Sequence, residues 1–139
     1  MSLRGLTFTP ADGVPPRVAP FVHATVAGET LYVTGQMPTD LDGSLLADGI
    51  IAQSDQVMRN LARVLELSGG ALTDVVMVRA YLLDWTDYEE FNAAYEPWFP
   101  ARLPSRTCVG VSGLAAGARV EVDVVAHRAG GWSPAARLA

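Results

Sequence analysis

The spacing of apolar residues changes twice along the chain, and each change marks a change of element. In FVHATVAGETLYVTGQ, residues 21–36, Val22, Ala24 and Val26 alternate, then Leu31 and Val33 do so after AGET. Period-two patterning around such a turn predicts two strands. MPTDLDGSLLADG, rich in Pro, Asp and Gly, predicts a loop. From Ile50 to Ser68 the period becomes helical, with Ile50, Val57, Leu61, Val64 and Leu65 on one side and Asp55, Arg59, Arg63 and Glu66 elsewhere around the cylinder. Gly69 and Gly70 supply a C-terminal stop.

A β-branched stretch, DVVMVRAYLLD, predicts the next strand. TDYEEFNAAYEPWF predicts a second helix, with Thr86 as its cap, Glu89 three residues on, and Tyr88, Phe91, Tyr95 and Trp98 as its apolar side. Pro97 should fray or kink its last turn. SRTCVGV and ARVEVDVVAHR, separated by SGLAAG, predict two closing strands, and GGWSPAARLA a surface tail. Pro10, Pro15, Pro16 and Pro20 keep the leader extended or turning.

The order β-β-α-β-α-β-β describes an α+β domain, with two helices on one face of a single sheet. In the last strand Val120, Val122, Val124 and Ala126 make a continuous apolar face, opposite Glu121, Asp123, Val125 and His127. A second face that is mixed instead of fully polar implies burial in a closed homo-oligomer.

Size and charge narrow the reading. With 139 residues, 50% of them hydrophobic, the chain suits one core, so residues 1–139 read as one domain with a leader over about 1–17 and a tail over about 129–139. A net charge of -5 argues against a nucleic-acid footprint or an anionic membrane surface. Cys108 has no intrachain partner, which fits a reducing compartment. MSLRGLTFTP lacks a signal-peptide core, and no apolar run is long enough to span a bilayer. The expectation is a cytoplasmic protein.

Arg106 and Glu121 carry the candidate chemistry. A guanidinium fork binds a carboxylate through two parallel hydrogen bonds, and a partly buried Glu can hold a water and take its proton. An internal salt bridge between the two is the bland alternative. Cys108 reads more readily as a small buried hydrophobe than as a nucleophile, because no thiol triad frames it. Asn92 could cap backbone or reach a ligand. No Cys/His/Asp cluster has metal-ligand spacing, and neither SGG nor AGG leads from a strand into a helix as a phosphate loop does.

VTGQMPTD, LARVLELSGGALTDVVMVRAYLLD, FNAAYEPWFP, LPSRTCVGV and GARVEVDVVAH together resemble the RidA/YjgF family, from about VAPF to AHR. The resemblance implies a chorismate-mutase-like fold with its last strand inserted between earlier ones. It also implies a homotrimer with sheets inward, helices outside and its site where protomers touch. The implied reaction is hydrolysis of reactive 2-imino or enamine acids to 2-keto acids and ammonia, without a cofactor. By position, Arg106 matches the substrate-carboxylate arginine and Glu121 the glutamate that positions water. Thr34 and Gly35 match a Ser/Gly-type pair near the ligand, and Asn92 and Cys108 match pocket positions. Phe21 stands where imine deaminases usually carry tyrosine, a departure that bears on substrate range and on activity itself. A member that binds a small keto acid or docks on an enzyme without turnover is the alternative. The endoribonuclease activity often ascribed to the family ranks below both, given the charge.

Overall fold

The computed structural model describes residues 3–46 and 48–134; Met1, Ser2 and the end of the predicted tail, 135–139, lie outside them. Six strands form one sheet: β1 (Leu3–Leu6), β2 (Ala24–Ala27), β3 (Thr30–Gln36), β4 (Val75–Leu82), β5 (Ser105–Gly110) and β6 (Val120–His127). Two helices, α1 (Ile50–Leu67) and α2 (Tyr88–Tyr95), follow β3 and β4. The sheet order is β1-β2-β3-β6-β4-β5. Only β4 and β5 pair in parallel; the other pairs are antiparallel, so the sheet is mixed.

This topology follows from the two crossovers. β3–α1–β4 and β4–α2–β5 step in the same direction across the sheet, and crossovers of one hand then put both helices on one face. β6 fills the gap left between β3 and β4. Its Val120, Val122, Val124 and Ala126 are buried under the helices, together with Val78, Ala80 and Leu82 of β4. Every apolar position predicted for α1 is buried: Ile50, Val57, Leu61, Val64 and Leu65. At its end the Gly70 amide donates to the Leu65 carbonyl and the Gly69 amide to that of Glu66, with Gly69 at φ +102°. That is a Schellman cap.

The predicted elements need three corrections, to the leader, to the cap of the second helix and to the tail. The leader is more than a turning extension: β1 pairs with β2, and Leu6, Phe8 and Val14 are buried in the core. Pro10, whose fixed φ suits a first helical position, opens a 3-10 turn over Pro10–Asp12, and the residues of β1 ahead of it remain free to pair. Thr86 does not cap α2. Asp84 accepts from the Thr86 amide and hydroxyl, and a 3-10 turn, Trp85–Asp87, precedes the helix. The last turn is disturbed at Pro97 as expected: it cannot donate a backbone hydrogen bond, and the chain tightens there into the 3-10 turn Glu96–Trp98. The described part of the tail is anchored. Trp132 is buried, and its Nε1 donates to the Glu29 carbonyl at 3.0 Å. A Cβ on Gly70 would lie 2.4 Å from that indole.

Among the described residues no helix is long and apolar enough to cross a membrane.

Candidate functional site

Arg106 and Glu121 face opposite ways. Arg106 of β5 pairs with Val78 of β4, and Glu121 of β6 pairs with Tyr81 of β4. Val78 and Tyr81 are three residues apart on one strand, so their side chains point to opposite faces. β4 also separates the two strands laterally. A hairpin between β5 and β6 would have set the pair face to face; insertion of β6 between β3 and β4 prevents it. One chain therefore carries two separate candidate half-sites.

The first half-site lies between the β5 edge and α2. The Arg106 guanidinium carbon stands 5.0 Å from the centre of the Tyr95 ring, 5.5 Å from Phe91 and 5.7 Å from Tyr88. Its NH2 donates to the Tyr88 hydroxyl at 3.2 Å. These rings recur along α2 at the spacing that puts them on one helix face, and their negative faces suit a cation. No carboxylate pairs with Arg106 among the described residues, so the internal salt bridge does not form within one chain. A recess of ≈ 300 Å³ opens beside it, lined by Asn92, Tyr95, Glu96, Leu103, Pro104 and Arg106. Two polar atoms there, Asn92 Oδ1 and the Tyr95 hydroxyl, are buried without a hydrogen-bond partner among the described residues. Burial pushes the Tyr95 phenol up to about 12, against the pull of the Arg106 charge. Unsatisfied buried polar atoms cost free energy, and they are uncommon unless a ligand or water completes them.

Cys108 shares this face, two residues along β5, and packs against the core. Burial pushes its thiol up, with Arg106 opposing. Both histidines are engaged elsewhere, His23 with Phe8 and Pro15 and His127 beside Glu29, so no imidazole stands ready to activate it. The reading as a small hydrophobe accounts for its surroundings.

The second half-site lies on the opposite face, around a bulge in β3. Register against β6 shifts by one residue between Val33 and Gln36, leaving Thr34 and Gly35 as the irregular pair. The Glu121 carboxylate lies over Gly35 so closely that a Cβ there would sit 2.1 Å from Oε2. Only glycine gives that approach. Burial, and then the charge of Asp123, pushes the Glu121 carboxyl above its ordinary value. Asp123 itself is held by Arg79 at 2.8 Å and by the Tyr81 hydroxyl at 3.0 Å. The Thr34 hydroxyl donates to the Val22 carbonyl at 2.6 Å, so it fixes the bulge to the segment before β2. Gly35 and Phe21 also line a recess of ≈ 160 Å³, with Arg17, His23, Gln36 and Met37 among its other walls.

Several supporting residues gave no signal that the sequence reading used. Gln53 and Asn60 sit on the buried side of α1. Asn60 donates to the carbonyls of Met37 and Thr39, and Gln53 to that of Leu46, which ties down the loop beside the Phe21 recess. Polar side chains at helical spacing within an apolar face were the available clue. The Arg106 cage was half visible, since Tyr88, Phe91 and Tyr95 were readable as one helix face but not their target. Among the described residues no group of three His, Cys, Asp or Glu side chains could hold a metal ion.

A family model described as Endoribonuclease L-PSP matches residues 13–128. The 3-aminoacrylate deaminase RutC of Acinetobacter baylyi is 37% identical over 84% of this chain and 93% of its own length. Among solved structures, RidA from an Antarctic Psychrobacter superposes with a TM-score of 0.84 at 30% identity, over 90% of this chain and all of that one. The YjgF gene product of E. coli superposes at 0.83 and 26% identity, over 90% and 98%. Matched over most of its length in both sequence and architecture, the chain belongs to the RidA/YjgF family, the family of the Endoribonuclease L-PSP model.

Proposed function

We propose that the protein hydrolyses small 2-imino or enamine acids to 2-keto acids and ammonia, at a site completed by a second copy of the chain. The observation that carries this reading is Arg106: among the described residues its half-buried guanidinium has no ion-pair partner, and it lies beside a recess that holds two polar atoms without a hydrogen-bond partner there. Such a group suits the carboxylate of a small ligand, gripped by two parallel hydrogen bonds. The name of the RutC relative, a 3-aminoacrylate deaminase, adds support for the substrate class.

The chemistry is light. With the carboxylate held, C2 of the imine is the electrophile. Glu121, whose carboxyl is pushed above its ordinary value by burial and so is a stronger base than a solvated carboxylate, takes a proton from water as the oxygen bonds to C2. The same proton passes to nitrogen to give the carbinolamine; Glu121 then takes the hydroxyl proton as the carbonyl forms and hands it to nitrogen as the C–N bond breaks, so ammonia leaves neutral. An enamine substrate is first protonated on carbon. Asn92 Oδ1 is positioned to accept from the imine or amine N–H, and fixed orientation supplies much of the gain.

Because Arg106 and Glu121 occupy opposite faces, a ring of copies is the simplest closure. A cyclic interface joins one patch to a different patch on its neighbour, so each Arg106 half-site would meet a Glu121 half-site, three times in a trimer. Exposed Tyr32 and Val109 on the face away from the helices fit such a contact.

Coupling the protein to a threonine dehydratase and following 2-ketobutyrate tests the activity; a verified trimer that gives no acceleration over buffer overturns it. Phe21 favours a second reading, a binder of the same acids without turnover, because its ring brings no hydroxyl to the recess. Under that reading calorimetry detects 2-ketobutyrate binding that Arg106→Ala abolishes, while the coupled assay stays at the buffer rate.

A further inference from the structure

Arg106 could bind a carboxylate from many rotamers, yet the structure holds it in one. The three rings differ in what they supply. Tyr95 and Phe91 are the nearer faces, whereas Tyr88, the farthest at 5.7 Å, is the one whose hydroxyl accepts from the guanidinium, at 3.2 Å. Tyr88 is itself fixed from behind. The Trp85 indole stacks on its ring, 4.5 Å between centres and 19° from parallel. Trp85 belongs to the 3-10 turn whose start is capped by Asp84 and whose end is bolted to Arg119, the residue just before β6. There the buried Asp87 carboxylate accepts from Arg119 through Nε at 2.9 Å and NH2 at 2.7 Å. The corner ahead of α2 is thus rigid, and it ends on a hydroxyl against the guanidinium.

We propose that Tyr88, backed by Trp85, is a positioning residue that pre-orders Arg106 for carboxylate capture; this rests on the reading of Arg106 as the carboxylate clamp. An arginine left free pays for its rotamer freedom at the moment of binding, and a partner already holding one nitrogen removes that cost. The hydroxyl accepts from Arg106, so its own hydrogen remains available to the ligand carboxylate as one more donor.

Calorimetry with 2-ketobutyrate and with its primary amide tests the assignment on wild type, Tyr88→Phe, Arg106→Ala and the double variant. Tyr88→Phe keeps the ring and the stack, and its melting temperature checks that the fold is intact. The expected result is a loss of about five-fold in 2-ketobutyrate affinity, the size of one net hydrogen bond, with affinity for the amide unchanged. The loss should vanish when Arg106 is already Ala. Equal weakening of acid and amide, or a Tyr88→Phe affinity equal to wild type while Arg106→Ala loses the acid, overturns the positioning role and leaves the clamp reading standing. If Arg106→Ala binds 2-ketobutyrate as tightly as wild type, the clamp reading falls and the role of Tyr88 falls with it.

Discussion

The two half-sites handle charge in opposite ways. Around Arg106 the surroundings favour the charged form: three ring faces and a hydroxyl offer electron density to a cation that cannot shed its proton. Around Glu121 they oppose it, since the carboxylate is half-buried, lies against backbone and has Asp123 on the same face. A cation kept ready and an acid made reluctant to ionise are what a clamp and a base respectively need. The protein obtains the first with side chains on a helix and the second with a bulge and a missing Cβ.

The largest effect should come from removing that missing space. Gly35→Ala puts a methyl where the Glu121 carboxylate lies, so the carboxylate, at the flexible end of its side chain, must swing out of its position. Expected is a fall of about 100-fold or more in kcat/KM, the usual scale for losing a positioned general base. Calorimetric affinity for 2-ketobutyrate should change far less, because Arg106 is untouched. If turnover and affinity fall together, the division of labour between the half-sites is wrong.

A smaller effect sharpens the electrostatic half of the comparison. Under the proposed function Glu121 is the base and works only when ionised; its folded value lies above the ordinary 4.5, so activity should decline as pH falls through a value higher than that. Removing a like charge lowers an acid's pKa. Asp123→Asn should therefore move the acid limb of kcat/KM to lower pH, whereas Tyr88→Phe should leave it in place. An acid limb that does not respond to Asp123→Asn assigns the titration to another group.

The contrast also explains how far the sequence could be read. α1 was legible in full because one helix face repeats five times and its glycine stop is local. The family motifs placed the last strand inside the sheet, yet alternation within a strand says only which neighbours share its face. The face relation between Arg106 and Glu121 depends on the strand that lies between them, and that is a property of topology. β1 escaped because Leu3–Leu6 is four residues long with a glycine and shows no alternation. Trp132 escaped because one aromatic in a Gly/Pro stretch has no period, although Gly70 leaves the space its indole fills. The cap moved from Thr86 to Asp84 because a carboxylate two residues earlier accepts from both the amide and the hydroxyl of Thr86.

The mildest prediction concerns only the Glu121 side, through the leader that walls the Phe21 recess. His23 is buried, with Nδ1 accepting from the Phe8 amide and Nε2 donating to the Pro15 carbonyl, each at 3.0 Å. That pairing requires the neutral ring, since a proton on Nδ1 would face an N–H. Burial chiefly, and the charge of Arg17, pull its value below 6.5, while the Pro15 bond pulls the other way. The unfolded chain then takes up the proton more readily than the folded one. Stability contributed by His23 is complete above about pH 6.5, declines as pH falls toward the folded value and levels off below it. Thermal melts from pH 7.5 to 5 should show that slope, and His23→Gln, which can accept and donate without titrating, should flatten it. Hydrogen exchange should locate the loosening at the Phe8 amide before it reaches β5, leaving the Arg106 cage protected. A slope that persists unchanged in His23→Gln, or an Arg106 cage that opens first, would mean that the leader is not the acid-sensitive edge of this fold.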